Sequence, residues 1–174
     1  MMRTVHIRQE QAPDHRRVYE VNLKAFGQPD EAELVNALRK SPSYIPALCL
    51  VAEVEGRVIG HILFTRINIV ADDGTEHPGL ALAPMAVEPG MQKEGIGSKL
   101  VREGLQVAAG LGYSFVIVLG HKDYYPRFGF GPAEEWDIRA PFPVPLEVFM
   151  ALALQPGGLD GLSGVVKYDE AFGL

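Results

Sequence analysis

The sequence has little of what builds disulfides or metal clusters. Its 174 residues include one cysteine and five histidines. One cysteine excludes a disulfide framework, and because the histidines show no metal-ligand spacing, we expect neither a Cys/His metal cluster nor a metal cofactor. We expect Cys49, in the apolar run ALCLV, to be a small buried residue. The alternative is that Cys49 is a reactive nucleophile.

The sequence also lacks an excess of positive charge and a long hydrophobic run. Its 16 Lys and Arg residues against 22 Asp and Glu residues give a net charge of −6. Nucleic-acid binding requires clustered positive charge, so we expect no nucleic-acid partner. No run of about 18 apolar residues is present, and the N-terminal MMRTVHIRQEQ is too polar for a signal peptide. We therefore expect a cytoplasmic protein with no membrane partner.

The composition that is present is that of an ordinary globular protein. Hydrophobic residues make up 47% of the chain and charged residues 22%. This length is typical of one domain, and we predict a single domain over residues 1–174. The proline-rich span 132–145 is short enough to be a loop within that domain.

The hydrophobic periodicity predicts the order β-α-α-β-β-β-α-β-α-β-β. The predicted strands are residues 4–8, 47–54, 57–70, 80–87, 115–119, 147–154 and 164–168. The predicted helices begin near residue 13, cover residues 30–39 and begin near residue 92, and a short fourth helix or turn lies within 121–130. We expect Asp30 to cap the second helix. The pattern predicts an α/β protein of the α+β mixed-sheet type, with about seven strands and about four helices.

One strand and its preceding helix indicate how that sheet is connected. Residues 115–119, FVIVL, form a continuous apolar run, which is typical of a central strand buried on both faces. A strand, a helix and a second strand predict a right-handed crossover, so we expect strand 115–119 to pair in parallel with strand 80–87.

The strongest functional signal is the stretch from strand 80–87 into the next helix. Glu88-Pro89-Gly90 predicts a turn, and the segment QKEGIG, residues 92–97, opens the helix. A glycine-containing turn before a helix leaves backbone N–H groups unpaired at the positive end of the helix dipole, which favours a phosphate or pyrophosphate. The alternative is that Gly95 and Gly97 only allow close packing of the helix on the sheet.

Two other phosphate-binding loops are excluded by single residues. Ile96 and Gly97 stand where a Walker loop requires Lys and Ser or Thr, and Leu100 stands where a dinucleotide fingerprint requires a third glycine. Pro84 lies inside the preceding strand, where it cannot donate a ladder hydrogen bond, so we expect a bulge there.

These motifs together resemble the GCN5-related N-acetyltransferase family. Residues 92–97 match its acetyl-CoA motif Q/R-x-x-G-x-G/A, and Tyr125–Phe130, YPRFGF, match its Y-x-x-x-G-F motif. The pair Tyr124-Tyr125 is similar to the YhbS-like bacterial branch. The resemblance covers nearly the whole chain and implies an acyl-CoA N-acyltransferase fold of the GNAT type.

The resemblance also implies a function and its partners. It implies an acetyl-CoA-dependent N-acetyltransferase that transfers the acetyl group to a primary amine, in a small molecule or a peptide, by direct attack in a ternary complex. A homodimer is a further expectation from the family. The alternative is a non-catalytic acyl-CoA-binding or sensor domain of the same fold.

The resemblance assigns the donor site to two segments. Backbone N–H groups of residues 93–98 would hold the coenzyme A pyrophosphate, and the residues expected there are Gln92, Lys93, Glu94, Gly95, Ile96, Gly97 and Ser98. Met85, Ala86 and Val87 would pair through their backbone with the pantetheine arm, in a gap that the bulge at Pro84 opens.

For catalysis, the resemblance places Tyr125 on the general-acid tyrosine, which also contacts the coenzyme. A phenol with a pKa near 10 can protonate a departing thiolate, whose conjugate acid has a pKa of about 8.5. Tyr124 is the competing general acid, and a purely structural core aromatic is the other reading of Tyr125. Glu88, His121 and a water relay are the candidates for the general base.

One position departs from the family pattern. Val118 stands where many members carry an asparagine, and His121, Lys122 or Asp123 could replace its contact with the coenzyme.

Overall fold

The computed structural model describes residues 4–174. Over these residues the chain forms three α-helices, which are α1 (His15–Phe26), α2 (Asp30–Arg39) and α3 (Ile96–Gly110). It forms nine strands, which are β1 (Val5–Gln9), β2 (Tyr44–Val54), β3 (Arg57–Val70), β4 (Glu76–Val87), β5 (Phe115–Leu119), β6 (Gly131–Pro132), β7 (Ile138–Arg139), β8 (Phe149–Ala153) and β9 (Gly164–Lys167). Short 3₁₀ helices connect several of these elements. None of the helices in this described part is long and apolar enough to cross a membrane.

The strands form one mixed sheet in the order β1-β2-β3-β4-β5-β8-β6, and β9 pairs with β3 and β7. β1 and β2 are antiparallel, as are β5 and β8. β4 and β5 pair in parallel from Leu80 to Leu82, with α3 as the connection between them. The predicted mixed sheet and its parallel crossover are therefore confirmed.

The predicted number of about four α-helices is wrong, because the fourth is a single 3₁₀ turn. It covers Tyr125–Phe128 and ends at Gly129, whose φ of 102° is left-handed. Pro126 has no N–H to donate to a preceding turn, and the left-handed glycine stops helical propagation after one turn.

Two residues behave differently from expectation. Pro29, and not Asp30, is the N-cap residue of α2, and Leu119 at the end of β5 is 47% exposed.

Contacts divide the chain into two compact units. The first unit comprises the described residues up to Phe64 together with Pro84–Val107, and the second comprises Thr65–Ala83 and Ala108–Leu174. β3 and β4 each run through both units. A single domain over residues 1–174 stays a prediction.

In the first unit, glycines bring α3 close to β3. A Cβ atom on Gly104 would lie 2.2 Å from Cε1 of Phe64, and one on Gly60 would lie 3.1 Å from Cδ1 of Leu100. Phe64 and Leu100 are completely buried. The absence of a side chain at these two glycines lets α3 approach β3 closely, so the apolar face of α3 packs directly on the strand.

In the second unit, β5 lies in the middle of the core. Phe115 and Ile117 are fully buried in a cluster that also contains Ile69, Phe149 and Ala151. The continuous apolar run of β5 is explained by this position, because a strand with neighbours on both faces has no solvent-facing side.

Candidate active site

The loop between β4 and α3 has two residues with left-handed backbone conformation. Lys93 has a φ of 65° and Gly95 a φ of 83°. Gly95 adopts this conformation without a steric cost, whereas Lys93 does so at a cost of about 1 kcal/mol. Gln92 before them is extended, with a φ of −71° and a ψ of 158°, so the two positive φ values turn the backbone just ahead of α3. Backbone strain at a solvent-facing loop of this kind indicates a functional constraint.

Hydrogen bonds hold this loop at its beginning and at its end. The side-chain Nε2 of Gln92 donates to the carbonyl oxygen of Val87 at 3.0 Å, and the N–H of Met91 donates to the carbonyl of Glu88 at 2.8 Å. At the far end, the N–H of Lys99 donates to the carbonyl of Gly95 at 3.1 Å and begins α3. Lys93, Glu94 and Gly95 are exposed, so their backbone is open to a ligand, whereas Gly97 and Ser98 are half-buried and Ile96 is buried.

The segment expected to meet the pantetheine arm is the last part of β4. Ala86 and Val87 are buried and Met85 is half-buried. The parallel pairing of β4 with β5 covers Leu80 to Leu82, which ends two residues before Pro84. The bulge expected at Pro84 stays a prediction.

Glu88, a candidate general base, lies in the first unit beside three cationic side chains. Its carboxylate pairs with Arg17, with Lys24 at 3.3 Å and with Arg57 at 3.8 Å. Burial by itself would raise the pKa of Glu88, but hydrogen bonds and charges from Lys24 and Arg17 outweigh it and hold that pKa below its ordinary 4.5. A carboxylate in this environment is a weak proton acceptor.

Tyr125 lies in the second unit, at the start of its 3₁₀ turn, and is 7% exposed. Its ring packs edge-on against Phe130, with centroids 5.7 Å apart. A Cβ atom on Gly120 would come within 2.3 Å of the Tyr125 ring, so the glycine provides the space for the ring. Burial raises the pKa of Tyr125 to about 12, and the neighbouring Tyr124 adds to the rise. The phenol therefore keeps its proton throughout the neutral range.

Tyr124 and His121 lie beside Tyr125 in the same unit. The rings of Tyr124 and Tyr125 are perpendicular, with centroids 5.1 Å apart, and the Arg127 guanidinium lies 4.6 Å from the Tyr124 centroid. The carbonyl of His121 accepts hydrogen bonds from the N–H groups of both tyrosines. Tyr124 is less buried than Tyr125, and His121 is exposed, as are Lys122 and Asp123. Three of the four proposed catalytic residues are thus neighbours, and the fourth, Glu88, lies in the first unit.

The structure also contains a buried polar cluster that no sequence spacing indicated. Ligand-type atoms of Glu10, Cys49 and His61 lie within 4.8 Å of one another. This grouping of one cysteine, one histidine and one glutamate was not predicted from the sequence. These residues are 12, 39 and 51 positions apart in the sequence, and β2, β3 and the residue that follows β1 bring them together.

Hydrogen bonds connect the members of this cluster to one another and to neighbouring side chains, among them Asn22 and Arg39. Nδ2 of Asn22 donates to Nδ1 of His61 at 3.2 Å, which leaves the proton on Nε2, 3.5 Å from Sγ of Cys49. The thiol donates to Glu10, and Arg39 pairs with the same carboxylate. Because Arg39 already supplies the positive charge that Glu10 requires, the cluster forms an internally paired network.

Burial determines the protonation of this network. It lowers the pKa of His61 to about 3 and raises that of the Cys49 thiol, so both groups are neutral at pH 7. Cys49 is completely buried, as expected, and a protonated, inaccessible thiol disfavours the alternative of a reactive nucleophile.

Comparison with known sequences identifies the family. The profile of the Acetyltransferase (GNAT) family matches residues 10–130. The chain is 40% identical over 159 residues to YjhQ of Escherichia coli K12, an uncharacterised N-acetyltransferase, covering 88% of this chain and 87% of YjhQ. It is 32% identical over 149 residues to YhbS of the same strain, also an uncharacterised N-acetyltransferase, covering 86% of this chain and 87% of YhbS.

Solved structures agree with the sequence comparison. The crystal structure of E. coli YhbS in complex with CoA has a TM-score of 0.91 at 30% identity and covers 100% of this chain and 94% of that one. A GNAT family acetyltransferase from Brucella melitensis in complex with acetyl-CoA has a TM-score of 0.80 at 35% identity, covering 98% of this chain and 99% of that one. The resemblance stated from the sequence motifs is confirmed, and the chain belongs to the GNAT family of acetyltransferases.

Proposed function

We propose that the protein transfers the acetyl group of acetyl-CoA to a primary amine, in a small molecule or a peptide, by direct attack in a ternary complex. The observation that carries the proposal is the loop after β4. Its left-handed Lys93 and Gly95 turn the backbone just before the N-terminus of α3, and Gln92 ties that turn to Val87. The relatives from E. coli and B. melitensis are complexes with CoA and acetyl-CoA, which supports the same ligand here.

In this proposal the donor is held mostly by backbone. N–H groups of residues 93–98 bind the pyrophosphate at the N-terminus of α3, where the helix dipole favours negative charge. The Gln92 side chain acts on the loop through its bond to Val87. The backbone of residues 85–87 pairs with the pantetheine arm, and an N–H of the same strand polarises the acetyl carbonyl.

Tyr125 is the proposed general acid. The neutral amine attacks the carbonyl carbon, the carbon–sulfur bond breaks, and the thiolate takes the phenolic proton. The substrate ammonium releases two protons in the course of the reaction. One restores the phenol and the other goes to solvent, through His121 or a water relay. The products are the N-acetylated amine, the coenzyme A thiol and one proton.

Two accompanying predictions concern the setting of this reaction. The first is a cytoplasmic location, and the second, which follows from the resemblance, is a homodimer. Both stay predictions.

The test combines binding with turnover. We expect acetyl-CoA at 100 times its Kd to stabilise the protein by about 2.7 kcal/mol, which corresponds to a rise in Tm of roughly 5–10 °C. A panel of primary amines, amino acids and peptide N-termini is then screened for release of free thiol. We expect release that depends on one class of amine. No rise in Tm would contradict the proposal, and binding without turnover on any amine would favour the sensor-domain alternative.

A further inference from the structure

Glu88 lies at the junction of three structural elements in the first unit. Its N–H donates to the carbonyl of Ile59 in β3 at 2.8 Å, and its carbonyl accepts the N–H of Met91 in the loop. Arg17, which pairs with the Glu88 carboxylate, comes from α1. One residue therefore connects the end of β4 and the start of the loop to both β3 and α1.

Arg17 is itself fixed by three separate groups. Its Nε donates to the carbonyl of Val58 at 2.8 Å, its Nη1 donates to Glu20 at 3.1 Å, and its Nη2 donates to Glu88. The Arg17 side chain is 17% exposed and that of Glu88 is 15% exposed. The position of the guanidinium is determined by a strand carbonyl and a helix carboxylate, so it provides a fixed point of attachment for Glu88.

The same contacts make Glu88 unsuitable as the general base. A lysine-type ammonium has a pKa of about 10.4 and an α-ammonium about 8, whereas Lys24 and Arg17 hold the pKa of Glu88 below 4.5. Proton transfer to this carboxylate would be strongly unfavourable. Its oxygens already accept hydrogen bonds from both cations.

We propose that Glu88 is a positioning residue for the coenzyme A loop: by attaching the start of the loop to Arg17 on α1 and to Ile59 on β3, it holds the N–H groups of residues 93–98 in the arrangement that binds pyrophosphate. This role rests on the proposed function, because it assigns a task to the loop that the proposed function makes the donor site. Glu88 contacts neither the substrate nor the reacting atoms. It acts through the backbone that follows it.

The test is the Glu88→Gln variant, which keeps the shape of the side chain and removes its charge. We expect Kd for coenzyme A, measured by titration calorimetry, to rise about tenfold. We expect faster amide hydrogen exchange over residues 89–98 in the free protein. With the acceptor found in the screen, KM for acetyl-CoA should rise by a similar factor, while kcat and its pH profile stay as in the wild type.

Glu33→Gln is the matched control. Glu33 is an exposed carboxylate of the same unit that accepts a hydrogen bond from Tyr19 at 2.7 Å, and its loss should leave Kd unchanged. Lys24→Met is a second variant for the case in which Glu88→Gln does not fold. Because the Lys24 side chain is half exposed, its loss should raise Kd by only about two- to threefold.

Three results separate the possibilities. Unchanged Kd and unchanged amide hydrogen exchange in Glu88→Gln would overturn the positioning role. A fall in kcat with Kd intact, together with loss of the low-pH decline in kcat, would overturn it too, because a general base behaves in that way. If the wild type itself does not bind coenzyme A, the proposed function is wrong. Amide hydrogen exchange over residues 89–98 in Glu88→Gln then still shows whether Glu88 orders the loop.

Discussion

Gln92 donates a hydrogen bond from Nε2 to the carbonyl oxygen of Val87 over 3.0 Å, so the first residue of the Q-x-x-G-x-G motif closes the loop onto its own strand. A second glutamine makes the same kind of bond elsewhere. Nε2 of Gln155 donates to the carbonyl of Ala109 at 2.9 Å and to that of Tyr113 at 3.2 Å, at the end of α3. Both glutamine side chains donate to backbone carbonyls, but only Gln92 borders the proposed pyrophosphate site.

This pair makes a matched experiment. Gln92→Leu should weaken coenzyme A binding about tenfold, because the loop loses the bond that fixes its start. Gln155→Leu should lower the free energy of unfolding by about 1–2 kcal/mol, since two carbonyls lose a donor, with Kd unchanged. Calorimetric titration and urea unfolding of both variants measure this. Equal Kd values for the two variants would contradict the role given to Gln92.

Tyr125→Phe should lower kcat by about 100-fold or more, because the departing thiolate loses its proton donor. Tyr124→Phe is the adjacent control and should change kcat by less than about threefold. Since the pKa of Tyr125 is raised to about 12, wild-type kcat should show no fall between pH 8 and pH 10. Steady-state rates over that pH range test both statements. If Tyr124→Phe causes the larger loss, Tyr124 is the general acid.

The buried histidine should make the fold sensitive to acid. His61 has its folded pKa lowered from 6.5 to about 3, so between these values the unfolded chain binds a proton that the native state does not. Stability contributed by the neutral imidazole is complete above pH 6.5 and is lost as the pH falls. Between pH 7 and pH 5 the free energy of unfolding should drop by about 2 kcal/mol on this account.

The pH dependence of the free energy of unfolding identifies the contribution of His61. Urea unfolding of the wild type and of His61→Gln at pH 5, 6 and 7 should show a flatter dependence in the variant, whatever its absolute stability. Identical slopes would show that the pKa of His61 is the same in the folded protein as in the unfolded chain.

Two glycines of α3 should respond to alanine in opposite directions. A Cβ on Gly104 would lie 2.2 Å from Cε1 of buried Phe64, so Gly104→Ala should cost about 1–3 kcal/mol by overpacking. Gly110 has nothing within 4 Å of its Cβ position, so Gly110→Ala should be neutral or stabilise by up to about 1 kcal/mol. Thermal and urea unfolding measure the two changes. Equal effects would contradict the close approach of α3 to β3.

Much of the secondary structure was predictable from the sequence. The structure confirms three predicted elements residue for residue: α2 over Asp30–Arg39, β3 over Arg57–Val70 and β5 over Phe115–Leu119. Periodicity and turn residues act within a few positions of the chain, so a local pattern carries this information. The segment predicted as a short helix or turn is a single 3₁₀ turn for a local reason as well, since Pro126 and Gly129 together limit it to one turn.

The sequence by itself determined the family and the two motifs, because the Q-x-x-G-x-G and Y-x-x-x-G-F segments are each made of consecutive residues. Tertiary structure alone decided which partners those motifs acquired. Glu88 meets Arg17 across 71 positions, and Cys49 meets Glu10 across 39. No spacing rule predicts such pairs, since the packing of helices and strands brings them together and the burial that results sets their charge.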